Sequence, residues 1–325
     1  MPVIAVNGLT KTFRTYKKQP GFAGAVKGLF RRRYEPTTAV NDIRFTIEAG
    51  ELVGFLGPNG AGKTTTLKML AGLLYPTSGE ARVLGYVPWE RHDGYRRQFA
   101  LLLGQKNQLW WDLPALESLE LNAKIYGISK AALDHIVAEM GDLLRVRDKF
   151  NVAVRELSLG ERMKMELIAA LLHQPKVLFL DEPTIGLDVV SQKTVREFLR
   201  DHNRRQKTTI LLTSHYMADI EELCERVIII DHGLIFFDGQ LRDVLDRFAD
   251  FKLITIHCRG REGCPAEGLA KYGEVVERNL GSFQLKVKRD RVIPACKALL
   301  DELPVTDIDI QEVPIEDVIR QIFAR

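Results

Sequence analysis

Apolar residues along this chain fall into two rhythms. Short continuous runs of strand length alternate with stretches in which apolar positions recur every three or four residues. Strand patterns at Val3 to Val6 and Asp42 to Glu48 are followed by the apolar run Glu51 to Leu56, a glycine-rich loop from Gly57 to Thr65, and a helical stretch from Thr66 to Leu74. Further strands are expected around Gly79 to Val83 and over Phe99 to Leu103. Helical spacing then dominates from about Leu113 to Arg147, as in Leu116, Leu119 and Ala123, or Leu133, Ile136, Val137 and Met140. Next come helix Glu161 to Leu172, buried strand Val177 to Leu180, helix Ser191 to Asn203, strand Thr208 to Thr213, helix Met217 to Cys224 and strand Val227 to Ile230. Strands alternating with helices predict a mainly parallel sheet covered on both faces, with a helical subdomain inserted over about 106–160.

From about Phe251 the texture changes. Strands Leu253 to His257, Glu274 to Glu277 and Phe283 to Val287, helix Ile293 to Leu303, strand Thr306 to Gln311 and helix Ile315 to Phe323 make a small α+β unit without a catalytic-looking cluster. The predicted class is therefore α/β over 1–240, with an accessory α+β domain over 251–325. Residues 14–38, rich in Lys, Arg, Gly and aromatics, read as an insertion. Within it, residues 26–34 mix apolar and basic side chains as an element touching a membrane surface or a partner would; a solvated basic loop is the plainer alternative.

Composition narrows the setting. A chain of 325 residues, 46% of them hydrophobic, can build more than one core. Its 46 basic and 43 acidic residues leave a net charge of only +3, so nothing global argues for nucleic acid as a partner. Cys224, Cys258, Cys264 and Cys296 lack C-x-x-C spacing, which favours free thiols over zinc or redox work and suggests a reduced, cytosolic setting. The N-terminal residues enter a strand pattern without the apolar core of a signal peptide. The longest apolar runs, Val177 to Leu180 and Val227 to Ile230, fall far short of the ~20 residues a spanning helix needs.

The chemistry concentrates at strand ends. Gly57, Pro58, Asn59, Gly60, Ala61, Gly62, Lys63, Thr64 and Thr65 read G-x-x-x-x-G-K-T between a strand and a helix, a phosphate-binding loop in its proper context. Glycines let the backbone wrap an anion with its N–H groups inward, and the following helix adds its positive end. Lys63 can reach the β- and γ-phosphates, and the Thr64 hydroxyl can ligate Mg²⁺. The run Lys176 to Leu180 delivers Asp181 and Glu182 to the same sheet edge. Asp181 suits Mg²⁺, directly or through water, and Glu182 is placed to orient or deprotonate an attacking water. Leu157 to Glu161 puts Ser158 and Gly160 before an amphipathic helix, a simple helix cap or an anion site.

In order along the chain, GPNGAGKTT (57–65), Gln105, LSLGE (157–161), LFLDEPTIGLD (178–188) and TSH (213–215) resemble the motif set of an ABC transporter ATPase over about residues 1–240. Leu159 stands where that family commonly has a second glycine, and Glu161 where Gln is usual, while the Ser158 hydroxyl and Gly160 amide remain. The resemblance implies a P-loop NTPase core with ATP and Mg²⁺ as ligands. It also implies two cassettes paired head to tail, each ATP lying between the phosphate loop of one and Ser158, Gly160 and Glu161 of the other. Glu182 would be the catalytic carboxylate and His215 a γ-phosphate contact. Gln105 would touch Mg²⁺ or its water, and Asp188 would cross the dimer interface. Adenine would stack on an aromatic near the first strand, where Phe13 fits and Tyr16 and Tyr34 are rivals.

Asn107 to Leu113, with Trp110 and Trp111, sits where transporter ATPases receive a permease helix; packing within the helical subdomain is the alternative for either ring. The chain as a whole resembles ATPase subunits of bacterial exporters whose permeases are separate polypeptides. That resemblance implies one or two kinds of transmembrane permease subunit, a second ATPase copy in a homodimer, and a peripheral place on the cytoplasmic side of the inner membrane. A soluble ABC ATPase acting on ribosomes or DNA competes with it, but such proteins carry two cassettes or a long coiled coil, and this chain has one cassette and no heptad run. An unrelated P-loop kinase would lack the signature and the His after the strand.

Overall fold

Strands whose side chains are all apolar are stable only when both faces are covered. Four strands that are apolar along their middle form the centre of this protein: β3 (Leu52–Leu56), β6 (Val177–Asp181), β7 (Thr209–Thr213) and β8 (Arg226–Asp231). β7 is buried at every position, and β6 everywhere but its final aspartate. With β5 (Phe99–Leu103) and β9 (Leu234–Gln240) they make a six-stranded sheet in the order β5-β6-β7-β3-β8-β9, in which β5, β6, β7, β3 and β8 run parallel. The computed structural model describes residues 2–16, 34–104, 108–214, 216–259 and 268–323.

Helices α1 (Lys63–Leu70), α2 (Asp93–Arg96), α3 (Ala115–Tyr126), α4 (Lys130–Leu143), α5 (Leu159–Leu171), α6 (Val189–Gln206) and α7 (Met217–Leu223) complete this part of the chain. Gly127 ends α3 in the left-handed conformation, and Ser129 caps α4 by accepting from the Ala132 amide. The first helix begins at Lys63, not at Thr66, because the Gly62 backbone at φ 108° turns straight from the loop into it.

A second sheet packs over the first. β1 (Ile4–Tyr16) pairs antiparallel with β2 (Tyr34–Ile47) and β4 (Ser78–Val83). Its buried Ile4, Val6 and Leu9 share one core with Phe55, Leu67, Phe179 and Ile228. The strands on either side of the basic segment are therefore much longer than their apolar stretches. Residues 14–16 and 34–38 belong to the ribbon, with Thr12 opposite Thr38 and Arg14 opposite Pro36. Residues 17–33, and with them all but the last of the 26–34 element, lie outside the described residues.

The chain divides into two compact units, 1–239 and 240–325. The second begins with α8 (Leu241–Phe248) and continues through β10 (Phe251–Cys258), β11 (Glu274–Asn279), β12 (Ser282–Lys288), α9 (Val292–Glu302), β13 (Val305–Glu312) and α10 (Ile315–Phe323). Its antiparallel sheet has the order β11-β12-β10-β13. Ile254, Ile256, Phe283 and Leu285 bury against Val292, Ala295 and Leu299 of α9. Among the described residues no helix is long and apolar enough to cross a membrane. Cys224 and Cys296 are free thiols, Cys258 is buried in β10, and Cys264 lies outside the described residues.

Where β4 meets β1, Gly79 has φ +86° and a Cβ there would stand 2.1 Å from the Gly8 carbonyl. Gly79→Ala should lower the melting temperature by several degrees, because the left-handed conformation alone costs an alanine about 1–2 kcal/mol; thermal unfolding followed by circular dichroism checks this.

Candidate active site

The loop after β3 is closed on the sheet by contact too tight for side chains. A Cβ on Gly57 would lie 2.2 Å from the Ile230 carbonyl of β8, and one on Gly62 would lie 2.4 Å from the Ala39 carbonyl of β2. Between them Gly60, at φ +83°, faces open space, flanked by Pro58, Asn59 and Ala61. The Lys63 side chain is 6% exposed, and its ammonium donates to the carbonyls of Gly57 (2.7 Å) and Pro58 (3.1 Å). Burial lowers its pKa, while Glu182 and Asp181 act in the opposite direction. An ammonium held against its own loop is positioned to exchange those carbonyls for phosphate oxygens. Thr65 follows on the first turn of α1, where the helix end adds to the positive field.

Asp181, the last residue of β6, accepts from the Thr64 hydroxyl on one oxygen (2.8 Å) and from the Thr213 hydroxyl on the other (2.7 Å). The Thr64 hydroxyl and the Asp181 carboxylate are hard oxygen donors side by side, a set that fits Mg²⁺ when phosphate and water supply the remaining ligands. Glu182 follows in the left-handed conformation at φ 56°, which non-glycine residues adopt at a cost, and its amide donates to the Thr213 carbonyl at 3.0 Å. Gly104, at the end of β5, makes this turn possible. Its amide donates to the Asp181 carbonyl at 2.8 Å, and a Cβ there would meet the Glu182 carbonyl at 2.5 Å.

Ser158 caps α5 in a reciprocal box. Its hydroxyl accepts from the Glu161 amide, and the Glu161 carboxylate accepts from the Ser158 amide at 2.9 Å. Those bonds, with Lys149 at 3.2 Å, hold the Glu161 carboxyl below its ordinary range. Ser158 and Leu159 are exposed, and the amides of Leu159 and Gly160 stand in the first turn, where no intrahelical carbonyl reaches. Gly160 packs against α6, since a Cβ would lie 2.6 Å from the Ser191 hydroxyl. Asp188 caps that helix by accepting from the Ser191 amide at 2.9 Å.

Comparison with known proteins agrees with this geometry. The family described as ABC transporter matches residues 40–185, and an EvrA-like ABC transporter C-terminal domain matches 250–311. The ABC transporter ATP-binding protein NatA of Bacillus subtilis is 36% identical over 217 residues, 67% of this chain and 88% of the relative. A Nod factor export ATP-binding protein I of Burkholderia orbicola is 38% identical over 70% of this chain and 74% of its own. The solved structure of an ATP-binding subunit of an ABC transporter superposes with a TM-score of 0.62 at 28% identity, over 76% of this chain and 93% of that one. The chain belongs to the ABC transporter ATP-binding family. It is an ABC ATPase, and ATP is its nucleotide. A dimeric ATP-binding cassette with ADP and Pi shares the fold, with a TM-score of 0.62 at 23% identity.

Within this ABC ATPase the other expected site residues are placed unevenly. Gln105 and His215 lie outside the described residues, as do the side chains of Tyr16 and Tyr34. Phe13 is a half-buried residue of β1 opposite Thr37, with the Lys11 ammonium 5.2 Å from its ring centre. Sequence reasoning missed Gly104, for which only its place after an apolar strand gave a hint. It also missed the buried cluster beneath the end of β7. There Asp219, fully buried on α7, accepts from the hydroxyls of Thr184 and Ser214 and pairs with Arg196 of α6 at 3.1 Å. The Tyr216 amide in turn donates to the Ser214 hydroxyl at 3.0 Å, so both neighbours of His215 are tied to Asp219.

Asp219→Ala removes one of the two carboxylates paired with the buried Arg196, leaving Glu222 at 3.0 Å, and strips the Thr184 and Ser214 hydroxyls of their acceptor, at a cost of about 1–3 kcal/mol for each buried group left unsatisfied. Calorimetry should show a large drop in melting temperature, and turnover should fall below the parent even at temperatures where the variant remains folded.

Proposed function

We propose that this ABC ATPase powers export through separate transmembrane permease subunits, and that ATP is hydrolysed at composite sites in a head-to-tail pair of its own copies. The observation that carries the reading is the division of the motifs. Ser158 and Gly160 contact Glu161, Asp188 and Ser191 within the chain, none of which belongs to the phosphate loop, and the exposed start of α5 offers amides to an anion from outside. A second copy can supply them. Asp188, at the start of α6 beside Gly160, is then at the edge of the same interface.

In the closed site Lys63 and the amides of the loop 57–65 bind the phosphates. Thr64 and Asp181 would hold Mg²⁺, which would neutralise phosphate charge, and the family resemblance gives Gln105 a contact to the ion or its water. Glu182 orients the attacking water and accepts its proton, and His215 keeps water and γ-phosphate in register. Catalysis is then chiefly positioning and charge stabilisation. Phe13 is the stacking partner for adenine, its ring face passing from the Lys11 ammonium to the base.

Export is supported by relatives named for Nod factor export and, for one Escherichia coli protein at 34% identity, as a probable multidrug ABC transporter ATP-binding protein. The permease dock is the exposed apolar patch of the helical subdomain, where Trp110, Trp111, Leu121 and Ile125 are 40–61% exposed. This makes the protein peripheral to the cytoplasmic face of the membrane through its permease, with residues 26–34 as a second contact. The core domain is assigned to 1–240, with the helical subdomain over about 106–160, and 251–325 to an accessory domain that braces or regulates the dimer.

Glu182→Gln should lower turnover by a hundredfold or more, in keeping with loss of a general base, while ATP binding persists. With ATP the variant should elute at twice the monomer mass; unchanged turnover would remove Glu182 from the role. Solubilised membranes should yield the chain together with permease subunits, and co-sedimentation with ribosomes in their place would sink the transport reading.

A further inference from the structure

The helix that carries Ser158 also holds a buried acid that the reaction does not explain. Glu166 lies eight residues further along α5, about 12 Å along the axis at 1.5 Å per residue. It is 3% exposed. Its carboxylate accepts the Gln108 amide on both oxygens, at 2.9 and 3.0 Å, and the Leu109 amide at 3.2 Å. Burial raises its pKa, and these amides together with Arg162 oppose that shift. The two amides belong to a loop with no ladder or helical partner; that of the buried Leu109 requires an acceptor, and that of the more exposed Gln108 shares the same carboxylate. Both oxygens of a carboxylate meet that need, whereas a glutamine offers one oxygen and an NH₂ that opposes the donors.

The rest of the loop is tied to the same block. Arg155, three residues before Ser158, donates its amide to the Trp111 carbonyl at 3.0 Å and its guanidinium to Asp112 at 2.8 Å. Arg162, on the first turns of α5, lies 5.3 Å from the Trp111 ring centre. The Trp110 amide donates to the buried Ser118 of α3. Among the described residues, the hydrogen bonds from this loop to α5 itself end on Glu166.

We propose that Glu166 is a positioning residue that fastens the 108–113 loop, with its exposed tryptophans, to the signature helix, so that displacement at the tryptophans moves Ser158 and Gly160. The inference rests on the reading in which Ser158 and Gly160 complete a partner copy's site. A rigid tie of this kind acts on turnover in the closed dimer and not on ATP capture by Lys63. It also makes Trp110 and Trp111 report closure, because their surroundings shift with α5.

The test uses the full chain with Trp89→Phe, which leaves Trp110 and Trp111 as its indoles. In that parent, MgATP should change the tryptophan emission. Glu166→Ala should lose most of that response and lower kcat about tenfold with KM for ATP within twofold of the parent, the split expected when only later-stage interactions are removed. Glu166→Gln, which keeps the side-chain volume and one acceptor, should fall between the two and serves if the alanine variant does not fold. Emission response and kcat within twofold of the parent in the folded variants would overturn the assignment, as would a rise in KM matching the fall in kcat. Ser158→Ala separates the two levels. A loss there beside silence at Glu166 removes the inference alone, and silence at both removes the composite-site reading with it.

Discussion

The site depends on a single carboxylate that cannot be left alone. Asp181, itself half-buried, ends a strand whose preceding residues are wholly buried, and a carboxylate at that boundary is held in place by donors on both oxygens. It finds them on two different elements, Thr64 of α1 and Thr213 of β7. The bonds fix the start of the phosphate-loop helix relative to β6 and β7. The position of Lys63, adjacent to Thr64, then follows from that of Asp181. The Thr64 to Asp181 bond also brings together two hard oxygen donors, the type that Mg²⁺ takes.

Glu182 is the next constraint. A glutamate at φ 56° costs on the order of 1–3 kcal/mol, and the surroundings have to impose it. They do so through Thr213, whose carbonyl and hydroxyl both receive the Glu182 amide, and through Gly104, whose missing Cβ leaves room for the Glu182 carbonyl. The direction in which the Glu182 side chain leaves the backbone is therefore set by contacts at the ends of β5 and β7. The Asp219 cluster below the end of β7 steadies the same corner.

Much of this was legible in the chain because the decisive strands are buried on both faces. Val177 to Leu180 and Val227 to Ile230 announce themselves as apolar runs, and the loop 57–65 as an anion cradle between strand and helix. The antiparallel ribbon was not legible, since 35–38 is exposed and rich in Thr, Glu and Pro, and a two-stranded extension owes its form to cross-strand pairing more than to burial. β9 escaped notice for a related reason, its residues being mostly exposed or half-buried despite Leu234, Phe236 and Phe237. Gly104, Asp219 and Glu166 were invisible because their roles lie in partners far away in sequence. A glycine, an aspartate and a glutamate in helices or strand ends look like ordinary punctuation until the opposing backbone is in place.

The departures from the usual signature acquire a physical meaning in this light. Glu161, where Gln is usual, completes a capping box with Ser158 and an ion pair with Lys149, so the substitution is absorbed into the stability of the helix start. Leu159, in place of a glycine, remains 36% exposed, and a Cβ on Gly186 would stand 2.9 Å from its side chain. Both changes leave the Gly160 amide and the Ser158 hydroxyl in place, but the glutamate alters what that hydroxyl faces. Its oxygen accepts from the Glu161 amide, and the Glu161 carboxylate also draws a hydrogen bond from the Ser158 side chain. A serine has one hydroxyl proton, so any anion docking at the start of α5 would compete for it with that carboxylate, a competition that an uncharged Gln would ease.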